Sequence, residues 1–168
     1  MLKKLKKFMI VAAAAVMLSA GFATAAPNKA HAAHWADKQM NWAMNEGYIT
    51  ADMRDNLATR QDVWLILTRY YANSGEPHNS YEEARQFVQK NNISDGSRGT
   101  NWITRNELVG MLYQKYYWTN AWTPEGGFSK AIAWGKARGL FDGTRGNDFA
   151  TRAEVITILY KHEFYWLN

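Results

Sequence analysis

The sequence predicts an all-α domain in which three helix-loop-helix units pack as a pseudo-threefold helical bundle. The first observation is a Thr-Arg-x-acid motif that recurs at intervals of 45 and 47 residues and starts at Thr59, Thr104 and Thr151. Intervals of this length are typical of chains built from copies of one unit. The second is a turn-forming residue at the same distance before each motif, namely Gly47, Asn92 and Gly139. The third is apolar periodicity at helical spacing on both sides of that turn.

The first 25 residues have the features of a secretory signal peptide. Four lysines precede an apolar run from Phe8 to Leu18, and the small-residue sequence Ala23-Thr24-Ala25 follows. This order is typical of an exported precursor, so we predict cleavage after Ala25, with a later cut near Ala30-His31-Ala32 as the alternative. The apolar run is too short to span a bilayer. We therefore expect a secreted protein.

Charge and cysteine content narrow the classes of partner. The formal charge is +5, but four lysines and no acid precede residue 26, which leaves +1 for the mature chain. A nearly neutral chain gives no electrostatic reason to expect nucleic acid or, after signal cleavage, a membrane as partner. The sequence has no cysteine, so disulfides are excluded.

Residues 26–168 are long enough for one domain with a hydrophobic core. Within it we place the three units at about residues 34–73, 79–118 and 126–166, and we call them units one, two and three. The breaker-rich segments 73–77 and 123–127 fall where the units join.

Each unit begins with a short amphipathic helix that contains Trp42, Phe87 or Trp134. Aromatic residues that recur at helical spacing are more often core than sugar-stacking surface, so we expect these three to be buried. The helix ends at Gly47, Asn92 or Gly139, the residue types that enter the left-handed conformation most readily. Trp118, Trp122 and Trp166 lie outside this pattern and are better candidates for an exposed face, although packing over the end of the bundle is the role we favour for them.

A loop of about ten residues follows each turn. We expect the first and the last apolar residue of each loop to be buried in the core. The first are Tyr48, Ile93 and Leu140, and the last are Leu57, Trp102 and Phe149. Units two and three share an Asp-Gly turn in segments 95–99 and 142–146, whereas the loop of unit one has diverged.

The second helix of each unit starts with a capping box. Thr59, Thr104 and Thr151 stand at the N-cap, and Asp62, Glu107 and Glu154 follow three residues later. In such a box the hydroxyl and the carboxylate each accept a hydrogen bond from an otherwise unpaired backbone N–H. Threonine and acid are therefore explained by helix capping.

The arginine of the motif is not explained in this way. Arg60, Arg105 and Arg152 stand in the first helical turn, where the macrodipole disfavours a cation. Three such arginines in register require a compensating partner. One alternative is internal, with Asp95, Asp142 or a capping acid as partner. The other is external, because an arginine beside free N–H groups at a helix start can bind an anionic ligand. The sequence does not decide between them.

These motifs resemble the S-layer homology repeat. The resemblance rests on His34-Trp35-Ala36 with Gly47, and on Gly139-Leu140-Phe141-Asp142-Gly143 followed by Thr151-Arg152-Ala153-Glu154. It covers nearly the whole mature chain in three copies, with a loop similar to the short Asp-Gly-Thr-Arg variant found in cell-wall-lytic and phage-related proteins. Members of this family are typically noncovalent anchors that bind secondary cell-wall polymers, often pyruvylated ones. The resemblance implies binding grooves between the repeats that use the motif arginine.

We therefore expect noncovalent binding of the bacterial cell wall through an anionic secondary polysaccharide. The alternative is a secreted protein-protein interaction or scaffold module in which the arginines are structural. We expect no enzymatic activity, metal or cofactor, because no nucleophile elbow, paired acid/base carboxylates or metal-ligand spacing occurs in the sequence. The candidate ligand-binding residues are Arg60, Arg105, Arg152, Arg98, Arg145 and Trp102.

Overall fold

The computed structural model describes residues 33–72 and 78–165. The predicted signal peptide, its alternative cleavage site, segment 73–77 and Trp166 lie outside these ranges. Within them the chain forms six helices and no β-strand, which confirms the all-α class. The helices are α1 (Asp37–Asn45), α2 (Arg60–Tyr71), α3 (Tyr81–Lys90), α4 (Arg105–Tyr117), α5 (Ser129–Ala137) and α6 (Arg152–Phe164). Of the helices described, none is both long and apolar enough to cross a membrane.

All three predicted capping boxes are formed, at the starts of α2, α4 and α6. In each, the threonine hydroxyl accepts from the backbone N–H of the acid, and the carboxylate accepts from the backbone N–H of the threonine. The six distances lie between 2.9 and 3.3 Å. The sequence pattern thus fixes where the second helix of each unit begins.

The predicted turns after the first helices are also confirmed. Gly47, Asn92 and Gly139 have φ values of 73°, 52° and 63°. These values lie in the left-handed region, where residues with a β-carbon are strained and asparagine is tolerated best. The turn reverses the chain and brings Ile93 and Leu140 into the core, whereas Tyr48 is half-buried.

The helices pack mainly across unit boundaries. The most extensive contacts join α2 to α3, α4 to α5, and α1 to α6. In each pair the second helix of one unit packs against the first helix of the next, and the last unit packs against the first. The apolar face of each second helix is therefore covered by a neighbouring unit.

Three backbone hydrogen bonds link the units in a ring just before the capping boxes. Ala58 N–H donates to Ala150 C=O at 2.9 Å, Ile103 N–H to Ala58 C=O at 3.0 Å, and Ala150 N–H to Ile103 C=O at 2.9 Å. All three side chains are fully buried. The pseudo-threefold packing stays a prediction, and this ring is the contact that supports it.

The residues just before this ring contradict one expectation. Leu57, Trp102 and Phe149 were expected in the core, but they are 37%, 45% and 50% exposed. The segment is extended, so successive side chains point to opposite sides, and the inward position belongs to Ala58, Ile103 and Ala150. The three larger residues therefore face outward, and we call them the apolar triad.

The aromatic residues of the first helices lie against the core. Trp134 is buried, whereas Trp42 and Phe87 are partly buried and pack on core residues. The indole of Trp42 makes edge-on contacts with the rings of Tyr160 and Phe164 of α6, with centroids 5.2 and 6.1 Å apart. These contacts join the first and last helices.

Candidate functional site

The loop of each unit lies against the helix start of the preceding unit. Its backbone carbonyls accept from the first two N–H groups of the helix: Arg60 donates to Asn101 and Gln61 to Gly99, Arg105 to Asp148 and Asn106 to Gly146, Arg152 to Asn56 and Ala153 to Arg54, all at 2.9–3.3 Å. The N–H groups that the sequence left free for an anion at each helix start are therefore already bonded. That part of the external alternative is wrong, and the guanidinium groups remain as its basis.

Arg60 is 5% exposed and is held by internal partners. Its Nη1 lies 2.8 Å from Glu107 Oε1, and its Nη2 lies 3.3 Å from Asp95 Oδ1. Its Nε donates to the Ser97 carbonyl at 3.0 Å. Glu107 is the capping acid of the next unit, so the internal alternative describes this arginine.

Arg105 repeats the arrangement one unit further along. It is 6% exposed, its Nη2 forms an ion pair with Glu154, and its Nη1 donates to the Arg145 carbonyl at 3.2 Å. Asp142, the other predicted partner, instead accepts from the backbone N–H of Thr144 at 2.8 Å. Here too the arginine pairs with the capping acid of the following unit.

Arg98 and Arg145 supply a second, exposed guanidinium to the same two acids. Nη2 of Arg98 lies 3.2 Å from Glu107 Oε1, and Nη2 of Arg145 lies 3.2 Å from Glu154 Oε1. Each capping glutamate is thus shared by one buried and one exposed arginine.

Arg152 differs from the other two motif arginines. No ion pair in the described part of the chain includes it. Its Nη1 lies 4.0 Å from the sulfur of Met53, and its Nε is buried without a hydrogen-bond partner among the residues described. The counterpart of Glu107 and Glu154 is Asp62, which is one methylene shorter, and Met53 stands where units two and three have Arg98 and Arg145.

Arg69 and Tyr81 lie near Arg152 and Asp62, and we call these four residues the Arg152 cluster. Burial and the charge of Arg152 both lower the pKa of Arg69, which donates to the carbonyls of His78 and Tyr48 at 2.8 and 3.1 Å. The Tyr81 hydroxyl donates to Asp62 Oδ1 at 2.9 Å. Asp62 is the one carboxylate of this cluster. Burial acts to raise its pKa, but hydrogen bonds from Thr59 and Tyr81 and the charge of Arg152 outweigh it.

The carboxylates at these helix starts are stabilised in their ionised form. Partial burial acts to raise the pKa of Glu154, but the hydrogen bond from Arg105, the Thr151 N–H and the two arginine charges outweigh it, and the pKa is lowered. Burial is outweighed at Asp95 by hydrogen bonds from Ser97 and the charges of Arg60 and Arg98. A carboxylate with a lowered pKa is a poor general acid near neutral pH.

Two adjoining cavities open beside the Arg60–Glu107 pair. The larger, about 810 Å³, lies between α4, the loop after α3 and the segment 120–128, and we call it the main cleft. The smaller, about 560 Å³, contains Trp102 and Phe149 and we call it the side groove. Arg98, Glu107 and Phe128 line both, so the two cavities are continuous.

Several cleft residues are absent from the sequence-based candidates. Asn92, Gln114, Asn120 and Trp122 line the main cleft. Trp122 was singled out in the sequence because it lies outside the repeat pattern, and Asn92 only as a turn residue. The others become neighbours through packing of α4 on the adjacent loop and linker, which no motif encodes. Of the predicted candidates, Arg60, Arg98 and Trp102 lie around the two cavities, whereas Arg105 and Arg145 surround Glu154.

Searches with this chain against protein-family models, curated proteins and solved structures find no match. The resemblance to the S-layer homology repeat therefore stays an expectation that rests on the motif residues. Among residues 33–72 and 78–165, no group of three or more His, Cys, Asp and Glu side chains could hold a metal ion.

Proposed function

We propose that this chain is a secreted, non-enzymatic module that binds the bacterial cell wall noncovalently through an anionic secondary polysaccharide. The observation that carries the proposal is the difference between the three motif arginines. Arg60 and Arg105 each pair with the capping glutamate of the next unit, whereas Arg152 forms no ion pair among the residues described.

The Arg152 cluster has the charge to attract an anion. The cluster contains two guanidinium groups and one carboxylate, and the Asp62 oxygens already accept from Thr59 and Tyr81. A ligand carboxylate could take the place that glutamate occupies beside Arg60 and Arg105. Hydrogen bonds between a guanidinium and a carboxylate are charge-assisted and often bidentate, which gives both affinity and direction.

The other predicted residues divide into two groups under this proposal. Arg60 and Arg105 are structural, because releasing either would leave a buried charge unpaired. Arg98, Arg145 and Trp102 are exposed and could contact the same polymer elsewhere on its path. Several weak contacts with one polymer would raise the overall affinity through multivalency.

The proposal is tested by sedimentation of the full mature chain with purified walls. We expect the protein to sediment with intact walls and to stay in solution with walls stripped of their secondary polysaccharide. Equal sedimentation with both preparations would contradict the proposal, since it would place the ligand in the peptidoglycan or in wall protein.

A second candidate function is a protein-interaction module with structural arginines. It is favoured by the internal pairing of Arg60 and Arg105 and by the exposed apolar triad. Apolar side chains that cluster on a surface commonly mark a protein contact. This candidate predicts sedimentation with neither wall preparation, together with a secreted partner whose capture is lost in Trp102→Ser and kept in Arg152→Ala.

A further inference from the structure

The main cleft differs in charge from the Arg152 cluster. It contains two arginines, Arg60 and Arg98, and two acids, Asp95 and Glu107. Arg60 lies 2.8 Å from Glu107 and 3.3 Å from Asp95, and Arg98 lies 3.2 Å from Glu107. The formal charges cancel, and each is engaged by another residue of the cleft. An anionic ligand would have to compete with Glu107, so the cleft favours an uncharged ligand.

Unused polar groups of amide side chains face this cleft. The side chain of Asn120 has no hydrogen bond to any residue that the structure describes. Asn92 donates through Nδ2 to the Gln114 carbonyl at 3.4 Å, and Gln89 donates through Nε2 to the Asp95 carbonyl at 2.9 Å. Their amide oxygens remain available as acceptors. Donors and acceptors in one cavity match a ligand rich in hydroxyl or amide groups.

Trp122 gives the cleft an aromatic wall. It is 54% exposed, and its indole Nε1 lies near Gly127: a β-carbon added to that glycine would be 3.9 Å from it. The turn beneath it is closed by backbone hydrogen bonds between Thr123 and Gly127, at 3.0 and 2.8 Å. The face of an indole carries partial negative charge and attracts the C–H groups of a sugar ring. The tryptophan is therefore half-exposed beside a closed turn at the edge of the cleft.

The side groove extends this surface. Trp102 and Phe149 lie in it, and it meets the main cleft at Arg98, Glu107 and Phe128. A volume of about 810 Å³ is within the usual range for ligand sites, and the added groove offers room for more than one sugar. Aromatic side chains thus line both parts of a continuous, formally neutral depression that also contains amide side chains.

We infer that the main cleft and side groove form a second carbohydrate site, separate from the Arg152 cluster, for an uncharged oligosaccharide of N-acetylated hexoses. The amide side chains pair with hydroxyl and N-acetyl groups, and Trp122 stacks on one ring. The inference goes beyond the proposed function, because it concerns another site and a ligand without charge.

Isothermal titration of the mature chain with the linear tetramer of N-acetylglucosamine tests the inference. We expect weak binding, with Kd on the order of 0.1–1 mM, since few groups are pre-ordered for the ligand. Trp122→Ala should weaken binding about tenfold, as expected for loss of one aromatic contact. Asn120→Ala should weaken it several-fold.

Three controls test the assignment of the ligand to this site. Trp118→Ala removes another exposed tryptophan, four residues earlier and outside the cleft lining, and should leave the affinity unchanged. Arg152→Ala and added salt should also leave it unchanged, whereas both should weaken binding to the anionic wall polymer. The inference is overturned if the tetramer does not bind at millimolar concentration, or if Trp122→Ala binds as wild type. Neither result would affect the proposed function.

Discussion

At the scale of single residues, the arginine that follows each N-cap threonine has one of two environments. Arg60 and Arg105 are buried and paired with a glutamate, whereas Arg152 faces an aspartate and a methionine. The position of the three arginines could be read from the motif. The capping acids were among the candidate partners, but which acid pairs with which arginine could not be predicted. The paired glutamates are 47 and 49 residues away and depend on the packing of one unit on the next.

Loss of the charge on Glu107 should destabilise the fold. Glu107→Gln keeps an oxygen for the capping box but leaves the buried Arg60 without its closest anion. We expect the free energy of unfolding to fall by about 3 kcal/mol in urea denaturation. The matched control is Asp62→Asn at the corresponding position, which removes no ion pair and should cost about 1 kcal/mol. Equal losses in the two variants would contradict the pairing.

His162 should make the stability sensitive to pH. Burial lowers its pKa below the ordinary 6.5, and Arg138 acts in the same direction, while Glu163 opposes them. Below about pH 6.5 the unfolded chain therefore binds a proton that the folded chain does not, so stability falls as the pH falls. The loss levels off below the folded-state pKa.

The measurement is the urea midpoint at about pH 7.5 and about pH 5.5, in wild type and in His162→Gln. The carboxylates with lowered pKa (among them Asp62, Asp95 and Glu154) lose their contribution only at more acidic pH, because their unfolded values lie near 4. We expect a smaller drop in the variant. An identical drop would show that His162 is not responsible.

At the scale of single elements, the sequence was most informative about helix ends. Capping boxes and left-handed turns depend on residues only a few positions apart, so local chemistry decides them. The sequence analysis wrongly predicted which residues of the extended segment before each capping box point into the core. Leu57, Trp102 and Phe149 are larger and more apolar than Ala58 and Ala150, but the inward positions at the ring are too confined for bulky side chains at all three places.

Unit two provides an internal reference for the turn glycines. Asn92 occupies with φ 52° the place that Gly139 occupies with φ 63°, and a β-carbon on Gly139 would meet no atom within 4 Å. Gly139→Ala should therefore cost about 1 kcal/mol through backbone strain alone, and Gly139→Asn should cost less. Thermal denaturation of both variants checks this order. A loss for Gly139→Asn as large as that for Gly139→Ala would mean that strain is not the cause.

At the scale of the whole molecule, the first helix is packed on the last. The predicted pseudo-threefold packing implies this closure. The sequence analysis did not predict that the most extensive contacts join neighbouring units, because it treated each helix pair as one unit. The difference in pairing among the three helix starts also arises at this scale. Glu107 and Glu154 each pair with the arginine of the preceding unit, whereas Asp62 forms no ion pair among the residues described.

Because α1 packs on α6, we expect the whole domain to unfold in a single transition. Trp42→Ala removes the aromatic contact between α1 and α6 and should lower the free energy of unfolding by about 2 kcal/mol, less than for a fully buried tryptophan. The variant should still unfold in one step, with coincident urea curves from far-ultraviolet circular dichroism and tryptophan fluorescence. Separate transitions would indicate that α1 detaches while the remaining helices stay folded.

Binding of Arg152→Ala to intact walls tests the central claim most directly. Arg152→Ala should weaken equilibrium binding to purified walls at least about tenfold, as expected for a charge-assisted contact, without changing helicity. Arg85→Ala, which removes an exposed arginine on α3 outside the cluster, should bind as wild type. Undiminished binding by a folded Arg152→Ala protein would contradict the claim that this guanidinium holds the anionic polymer.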